Sequence, residues 1–380
     1  MTSAPTGSRV LLTGAAGPLG RRLLSVLAGA PEVREVIAVD SADLTTVRAA
    51  WNADGPALRT VRGRLASLDL TEVVTGVDQV IHLASGTGAE LDGTGVSGVD
   101  VPGTRALLAA LGPVDSMVVL SSATVYGAWP QNPVPLTERA AVRPNPGLEF
   151  ANEKAEVERL TLNWAAAAAF DPAVAILRPT LTLSAESLDW MERSAWGVVG
   201  LRAGSDVPPA QFLHLDDLAS AIELARSLRL DGSFNVAPDG WIPPDDLVGL
   251  RGAGPRFPLP PPVAARLASL SYRMSLSSTP SGAVPYTMYS WVVANDRLRA
   301  AGWTPESTNE ETFVAGTRAG PWATLNARRR QELLAVPRRV ERLPFDPEDF
   351  SKVGICHGTD MVAGTAHVQR ALRTASGERR

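Results

Sequence analysis

RVLLTGAAGPLG, residues 9–20, is the stretch that decides the fold. It begins with a short apolar run, residues 9–14, which is typical of a strand buried on both faces of a parallel sheet. A helical pattern follows through residues 19–30, and Gly29 and Pro31 mark its end. The stretch therefore predicts a strand, a glycine-rich turn and a helix in succession.

Three glycines in this turn, Gly14, Gly17 and Gly20, have the spacing of a turn that binds a pyrophosphate. Gly14 permits the tight turn, Gly17 lets the backbone approach the anion, and Gly20 allows the helix to pack closely on the strand. Free N–H groups at the helix N-terminus then face the negative charge. A glycine pattern by itself is weak evidence, but its place between a strand and a helix makes it more specific.

A carboxylate, Asp40, ends the next predicted strand, residues 34–40. It follows Gly20 by twenty residues, the distance at which an acidic residue hydrogen-bonds the ribose 2′-hydroxyl of a dinucleotide. The same charge repels a 2′-phosphate, so the sequence predicts NAD rather than NADP as cofactor. The alternative is an ordinary aspartate that starts a turn at the end of a strand.

Further apolar runs alternate with helical patterns along the first half of the chain. Such alternation predicts an α/β fold with a Rossmann-type, doubly wound parallel sheet; a flavodoxin-like domain without a dinucleotide is the alternative. The predicted strands are residues 77–85, 116–122 and 173–180, and a helix is predicted at 101–112.

The pattern loosens after residue 180, which predicts a second, smaller lobe. We expect a Rossmann domain over residues 1–180, a substrate lobe over 181–320 with segments that return to the sheet, and an arginine-rich extension over 321–380. Within the second lobe we expect a strand entering a helix at 212–228, a strand at 232–238 and a proline-rich extended connector at 254–263.

Composition excludes several classes of protein. A net charge of −4 over 380 residues gives no sign of a nucleic-acid or membrane partner, and the arginine clusters of the extension are interpreted as a solvated face. A single cysteine, Cys356, and four histidines argue against a disulfide and against a metal site. The sequence shows neither a signal peptide nor an apolar run of about 18 residues, so we expect a cytoplasmic protein.

Six segments, taken in order, carry a resemblance to a known family: TGAAGPLG, GVDQVIHLAS, VPGTRALLAA, VVLSSATVYG, FLHLDDLA and RLRAAGWTP. Over residues 8–316 the chain resembles the extended short-chain dehydrogenases/reductases, the NAD-dependent epimerase/dehydratase family. The resemblance implies a Rossmann domain with a smaller C-terminal substrate lobe. It also implies epimerisation, dehydration or reduction, often of a nucleotide-linked sugar, and a possible homodimer.

The resemblance assigns roles to individual side chains. Ser122 would bind the reacting oxygen, Thr124 would lie beside it facing the substrate, and Lys154 would hold the nicotinamide ribose. The residues implied to contact the cofactor are Gly14, Gly17, Gly20, Asp40, Leu65, Ala84, Lys154 and Pro179.

Four positions depart from the family pattern. Gly63-Arg64-Leu65 stands where Gly-Asp-Leu is usual, so Arg64 would stack on adenine or be solvated. Asp100 replaces a usual asparagine, and LTLSAES (181–187) replaces a segment that begins Tyr-Gly-Pro. The fourth departure is Phe150, four residues before Lys154, at the position of a usual tyrosine.

Phe150 leaves two hypotheses open, because that tyrosine is the general acid or base and phenylalanine has no proton to give. Loss of a positioned acid or base costs about 10²–10⁴ in rate. No tyrosine in the chain stands four residues before a lysine. The first hypothesis is an NAD-dependent enzyme with an atypical acid or base, which Ser122 and Lys154 favour. The second is an NAD-binding regulator, scaffold or redox sensor without hydride transfer, which Phe150 favours.

Overall fold

A computed structural model describes residues 7–52, 54–85, 100–184, 201–203, 208–246, 257–260 and 281–316, with isolated positions between 263 and 274. The predicted extension, residues 321–380, lies outside the described residues. Among the described helices, none combines the length and apolar character that a membrane span requires. Within the same ranges, no three histidine, cysteine or acidic side chains are grouped to hold a metal ion.

Strands and helices alternate along the first part of the chain, as predicted. The elements are β1 (Ser8–Thr13), α1 (Pro18–Leu27), β2 (Val33–Asp40), α2 (Thr45–Ala50), β3 (Ala57–Arg62), α3 (Thr71–Val74), β4 (Gln79–His82), α4 (Asp100–Ala110), β5 (Ser116–Leu120), a 3₁₀ turn (Ala123–Tyr126), α5 (Glu149–Ala167) and β6 (Ala173–Pro179).

Shorter elements make up the rest of the described chain. They are β7 (Leu181–Leu183), β8 (Leu201–Ala203), β9 (Phe212–His214), α6 (Leu215–Ser227), β10 (Gly232–Val236), β11 (Phe257–Leu259), a 3₁₀ segment (Ser281–Thr287), α7 (Asp296–Ala300) and α8 (Asn309–Gly316). The predicted strand–helix unit at 212–228 and the strand at 232–238 are confirmed. The predicted connector at 254–263 is only partly right, because β11 within it pairs with β8.

Seven parallel strands form the main sheet in the order β10-β6-β5-β4-β1-β2-β3. Alternate side chains of each strand enter two separate hydrophobic cores: Val10 and Leu12 pack beneath α1 and α6, whereas Leu11 packs beneath α4 and α5. This is the doubly wound Rossmann arrangement, and the fold prediction is confirmed. The strand order reverses between β1 and β4, and such a switch point opens a crevice at the carboxyl ends of the strands.

Candidate cofactor and active site

The turn after β1 and the first part of α1 each require a glycine for reasons internal to the fold. Gly14 has a φ of +75°, and a Cβ there would lie 3.0 Å from the backbone nitrogen of Ala84. A Cβ on Gly20 would lie 2.3 Å from the carbonyl oxygen of Gly14. Gly14 therefore makes the turn, and Gly20 lets α1 approach it.

Gly17 differs from its two neighbours, because the fold alone does not require a glycine there. Its φ is −67°, and the nearest atom to an added Cβ is the Gly14 carbonyl oxygen, at an ordinary contact distance of 3.6 Å. Gly17 is the N-cap of α1, and no side chain caps that helix. The open helix N-terminus and the missing Cβ together fit a pyrophosphate that approaches the backbone.

Asp40 connects the glycine turn to the crevice. Its Oδ2 accepts a hydrogen bond from the backbone N–H of Ala16 (2.8 Å), and its Oδ1 accepts one from Ala42 (2.9 Å). Each carboxylate oxygen keeps a second lone pair, so the side chain can still accept hydrogen bonds from a ribose. It lines a cavity of about 230 Å³ together with Gly14, Leu65, Ala84 and Pro102.

His82 supports the floor of this cavity. Its Nε2 lies 2.9 Å from Thr104 Oγ1, which donates its own proton to a carbonyl, and its Nδ1 lies 2.8 Å from Thr13 Oγ1. Complete burial, with the nearby charge of Lys154, lowers the pKa of His82 to about 4. The ring is therefore neutral and fixes the ends of β1, β4 and α4 relative to one another.

Lys154 lies in a buried ion pair. Its Nζ is 3.0 Å from Asp100 Oδ2, and both side chains are at most 4% exposed. Ser85 Oγ donates a hydrogen bond to the same carboxylate oxygen at 3.0 Å. The ammonium also lies 5.7 Å from the centroid of the Phe150 ring. The two departures from the family pattern, Asp100 and Phe150, therefore face the same lysine.

Glu153 is a site residue that the sequence interpretation missed. The backbone N–H of Asp100 donates to its carboxylate, which is half-buried. Burial, and then the negative charge of Asp100, raise the pKa of Glu153 to about 7. Packing of α4 against α5 brings Glu153 to the backbone of Asp100.

Ser122 stands just beyond β5 with its hydroxyl proton available. Its Oγ accepts hydrogen bonds from the backbone N–H of Thr124 (3.2 Å) and from Thr124 Oγ1 (2.9 Å). Both acceptor positions of a serine hydroxyl are thus used, and its O–H can donate to a ligand. Thr124 is fully buried, so its hydroxyl acts on Ser122.

The end of β6 also presents an unused polar group. Pro179 is buried at the last position of this strand. Next to it, Thr180 is 6% exposed, and its buried hydroxyl has no hydrogen-bond partner in the described structure. A buried hydroxyl without a partner is costly, and a bound ligand can satisfy it.

A buried network fixes these elements against one another. Arg178 on β6 makes two hydrogen bonds to Glu158 on α5, of 2.9 and 2.7 Å, and a third to the Tyr126 hydroxyl at 2.8 Å. The Tyr126 hydroxyl donates to Asn235 Oδ1 on β10 at 2.7 Å. Arg178 therefore holds the helix that carries Lys154 on the strand that ends at Pro179.

Neither of the buried tyrosines Tyr126 and Tyr286 has a free hydroxyl proton to replace that of the missing phenol. Tyr286 donates its hydroxyl proton to the Thr124 carbonyl at 2.7 Å, and Tyr126 belongs to the network just described. Burial raises the pKa of both phenols. Phe150 packs against the apolar cluster that contains Tyr286, and Tyr289 packs on the same cluster. Tyr272 lies outside the described residues.

A family model supplies the identification. The model described as the NAD dependent epimerase/dehydratase family matches residues 10–237. The chain belongs to this family. Membership makes it an NAD-dependent enzyme of epimerase/dehydratase type and NAD its cofactor, which confirms the family and cofactor predictions.

Two bacterial relatives extend the match along the chain. An uncharacterised protein of Mycobacterium tuberculosis is 29% identical over 315 residues, which cover 80% of this chain and 82% of the relative. An uncharacterised protein of Sinorhizobium fredii is 25% identical over 288 residues, which cover 68% and 67%.

Solved structures of the same fold include two enzymes from Bacillus. UDP-glucuronic acid 4-epimerase from Bacillus cereus has a TM-score of 0.59 and 16% identity, over 82% of this chain and 98% of that chain. dTDP-glucose 4,6-dehydratase from Bacillus anthracis has a TM-score of 0.56 and 16% identity, over 86% and 100%. Both likenesses establish the fold.

The structure divides the predicted site residues of this family member into two groups. Around the cavity lie Gly14, Asp40, Leu65 and Ala84, with Gly17 and Gly20 in the adjoining turn and start of α1. Around the ends of β5, β6 and α5 lie Ser122, Thr124, Phe150, Lys154 and Pro179. Their individual roles stay predictions.

Proposed function

We propose that this enzyme uses NAD to carry out an epimerisation or dehydration of a nucleotide sugar, with Phe150 in place of the usual tyrosine. Solved relatives of the same fold support the substrate class. MoeE5, 23% identical with a TM-score of 0.54, was solved in complex with UDP-glucose and NAD. The Bacillus cereus epimerase was solved with UDP-glucuronic acid and NAD.

NAD fits the described residues. The open N-terminus of α1 and the bare Gly17 would hold the pyrophosphate, and Asp40 would accept from the adenosine ribose. The unpartnered hydroxyl of Thr180 lies at the end of β6, where the resemblance places the nicotinamide. When bound, NAD would supply the acceptor and donor of a hydride.

The observation that carries the proposal is the hydroxyl of Ser122. Thr124 occupies both of its acceptor positions, so the remaining O–H is available to donate to a ligand oxygen. A preorganised donor stabilises negative charge that develops on a reacting oxygen. Ser122 would therefore bind the sugar oxygen whose carbon exchanges a hydride.

Phe150 is compatible with binding both ligands. A tyrosine-to-phenylalanine variant of the Bacillus cereus epimerase was solved in complex with UDP-4-deoxy-4-fluoro-glucuronic acid and NAD. Phe150 has no proton to transfer, so in this enzyme a group other than residue 150 must move the proton of the reaction. Glu153 is one titratable candidate, because it follows Phe150 by three residues on the same helix, and its pKa is raised to about 7.

A second function, NAD binding without hydride transfer, would make this chain an exception among the enzymes of its family. Phe150 and the ion pair of Lys154 with Asp100 are the observations that favour it. In that case the protein would act as a regulator, scaffold or redox sensor.

A cytoplasmic location, a homodimer and the domain limits 1–180, 181–320 and 321–380 also remain proposals. Light scattering of the purified protein tests the homodimer.

The two functions separate in one experiment. The protein is incubated with NAD and, in turn, UDP-glucose, UDP-glucuronic acid and dTDP-glucose, and the sugars are followed by NMR. An epimer or a dehydrated keto sugar is expected for at least one substrate. Ser122→Ala should reduce that rate by about 10²-fold or more, as loss of one such donor does. NAD binding with no turnover of any sugar would favour the second function.

A further inference from the structure

The charge of Lys154 is already neutralised inside the protein. Its Nζ and Asp100 Oδ2 are 3.0 Å apart, and neither side chain is more than 4% exposed. Solvent therefore screens the pair little, and the two opposite charges act on their surroundings almost as a dipole. The ring of Phe150, 5.7 Å from the ammonium, feels much less positive charge than a lone lysine would give.

We propose that Asp100 is a positioning residue that takes over the role of counter-ion to Lys154, so that this site is built to work without an ionisable group at residue 150. Two substitutions then form one arrangement: the carboxylate of Asp100 supplies a negative charge, and Phe150 removes the phenol that could have supplied it. The proposal concerns the charge of the site and holds for either function considered above.

The two departures from the family pattern, Asp100 and Phe150, depend on each other, because both affect the charge balance around Lys154. A buried ammonium without a counter-ion is destabilising by several kcal/mol. A phenol at residue 150 could ionise and serve as that counter-ion, but a phenylalanine cannot. The carboxylate of Asp100 does so, and its position in the first turn of α4 adds the favourable field of the helix N-terminus.

Two further neighbours interact with the carboxylate of Asp100. After burial, the charge of Asp100 is the largest cause that raises the pKa of Glu153 to about 7. Ser85 Oγ donates a hydrogen bond to the Asp100 carboxylate, which favours its ionised form. Three independent partners, Lys154, Ser85 and the N-terminus of α4, thus stabilise the same negative charge.

The pKa of a phenol introduced at residue 150 reports the net charge of Lys154 and Asp100 beside it. The phenol of Phe150→Tyr is titrated in the full-length protein without cofactor, by the ultraviolet absorbance of tyrosinate, with the parent protein as baseline. The same titration is made for Phe150→Tyr/Asp100→Asn, with Asp100→Asn as baseline. Circular dichroism checks that each variant is folded over the titration.

We expect the new phenol to titrate near or above the ordinary tyrosine pKa of about 10 when Asp100 is present. With Asp100→Asn, the ammonium loses the carboxylate in direct contact with it, and the pKa of the phenol should fall by about one unit or more. A phenol that already titrates well below 10 in the single variant would overturn the proposal. Equal values in the two variants would also overturn it.

A triple variant covers the case in which Asp100→Asn does not fold. Phe150→Tyr/Asp100→Asn/Lys154→Met replaces the buried ion pair with two neutral side chains, which proteins often tolerate. Its phenol should titrate within about half a unit of Phe150→Tyr, because a neutral pair replaces a neutralised one. An increase of a full unit would show that Lys154 acts on residue 150 despite Asp100, which would overturn the proposal. No substrate takes part, so this result is independent of the proposed function.

Discussion

The glycine turn and the surroundings of Lys154 lie on the same crevice, yet they differ in what they keep of the family pattern. Around Gly14, Gly17 and Gly20 the chain has the expected backbone turn, open helix N-terminus and carboxylate. Around Lys154 two side chains have changed, Asp100 and Phe150, and both face the lysine. Binding of a pyrophosphate uses backbone N–H groups, whereas proton transfer requires a particular side chain. The groups for proton transfer can therefore change while pyrophosphate binding is retained.

The strongest test of this comparison is removal of Lys154. Lys154→Met leaves the buried Asp100 without its counter-ion, so we expect the free energy of unfolding to fall by about 3–5 kcal/mol in urea denaturation. Lys154→Met/Asp100→Asn should recover most of that loss, because no charge is then left unpaired. A single variant as stable as the parent would show that the pair contributes no such coupling.

Gly20→Ala tests the glycine turn, the region of the comparison that depends on the backbone. The added Cβ would meet the Gly14 carbonyl oxygen, so α1 must move away from the turn. We expect a loss of about 1–3 kcal/mol in stability, measured by thermal unfolding, together with weaker NAD binding. Gly112→Ala is the matched control, because no atom lies within 4 Å of a Cβ there. Equal stability of the two variants would contradict close packing at Gly20.

Gly17→Ala should separate binding from folding. The fold has room for the methyl group, so stability should change by no more than about 1 kcal/mol. Calorimetric titration should nevertheless show NAD binding weakened by about tenfold, or 1.4 kcal/mol, because the methyl group occupies the approach of the pyrophosphate. Unchanged affinity would mean that the cofactor does not contact this position.

Asp40→Ala should act on the choice of cofactor. The parent should bind NAD more tightly than NADP, because the Asp40 carboxylate repels a 2′-phosphate. The variant should lose NAD affinity by a few-fold, through the lost ribose hydrogen bond, and the gap between the two cofactors should narrow. Tighter binding of NADP than of NAD by the parent would refute the assignment of Asp40.

Glu153→Gln should give the smallest effect, and one that depends on pH. Its pKa is raised from 4.5 to about 7 in the folded protein, so folding favours the neutral acid. That stability is complete below the unfolded pKa of 4.5 and is lost as pH rises through 7. The variant should therefore match the parent in acid and exceed it in stability at alkaline pH. Because the side chain is half-exposed, we expect no more than about 1 kcal/mol. An unchanged difference across this range would contradict a raised pKa.

Local patterns explain what the sequence could predict. Strand β1, the glycine turn and α1 follow one another, so periodicity and glycine spacing reveal them without knowledge of distant contacts. Strand β3 was not predicted, because its sequence, ALRTVR, is interrupted by arginines and lacks the continuous apolar run of a buried strand. This composition fits its place at the exposed edge of the sheet. The predicted strand at 77–85 was too long: regular pairing ends at His82, where the chain reaches the crevice.

The charge arrangement could not be predicted, because its members are far apart in sequence. Asp100 and Lys154 are brought together only when α4 packs beside α5. Both residues stand out in the sequence analysis, Asp100 as a departure from the family pattern and Lys154 as a residue that the pattern retains. Their contact, and the raised pKa of Glu153 that follows from it, depend on tertiary packing.

A crystal structure of the enzyme with NAD and UDP-glucose would test the central claim most directly. We predict the pyrophosphate at the N-terminus of α1, the adenosine ribose on Asp40, and Lys154 Nζ still within about 3 Å of Asp100. The Ser122 hydroxyl should be the protein hydroxyl that contacts the sugar oxygen next to the nicotinamide. A dinucleotide bound elsewhere, or a phenol such as that of Tyr289 in contact with this oxygen, would contradict the account.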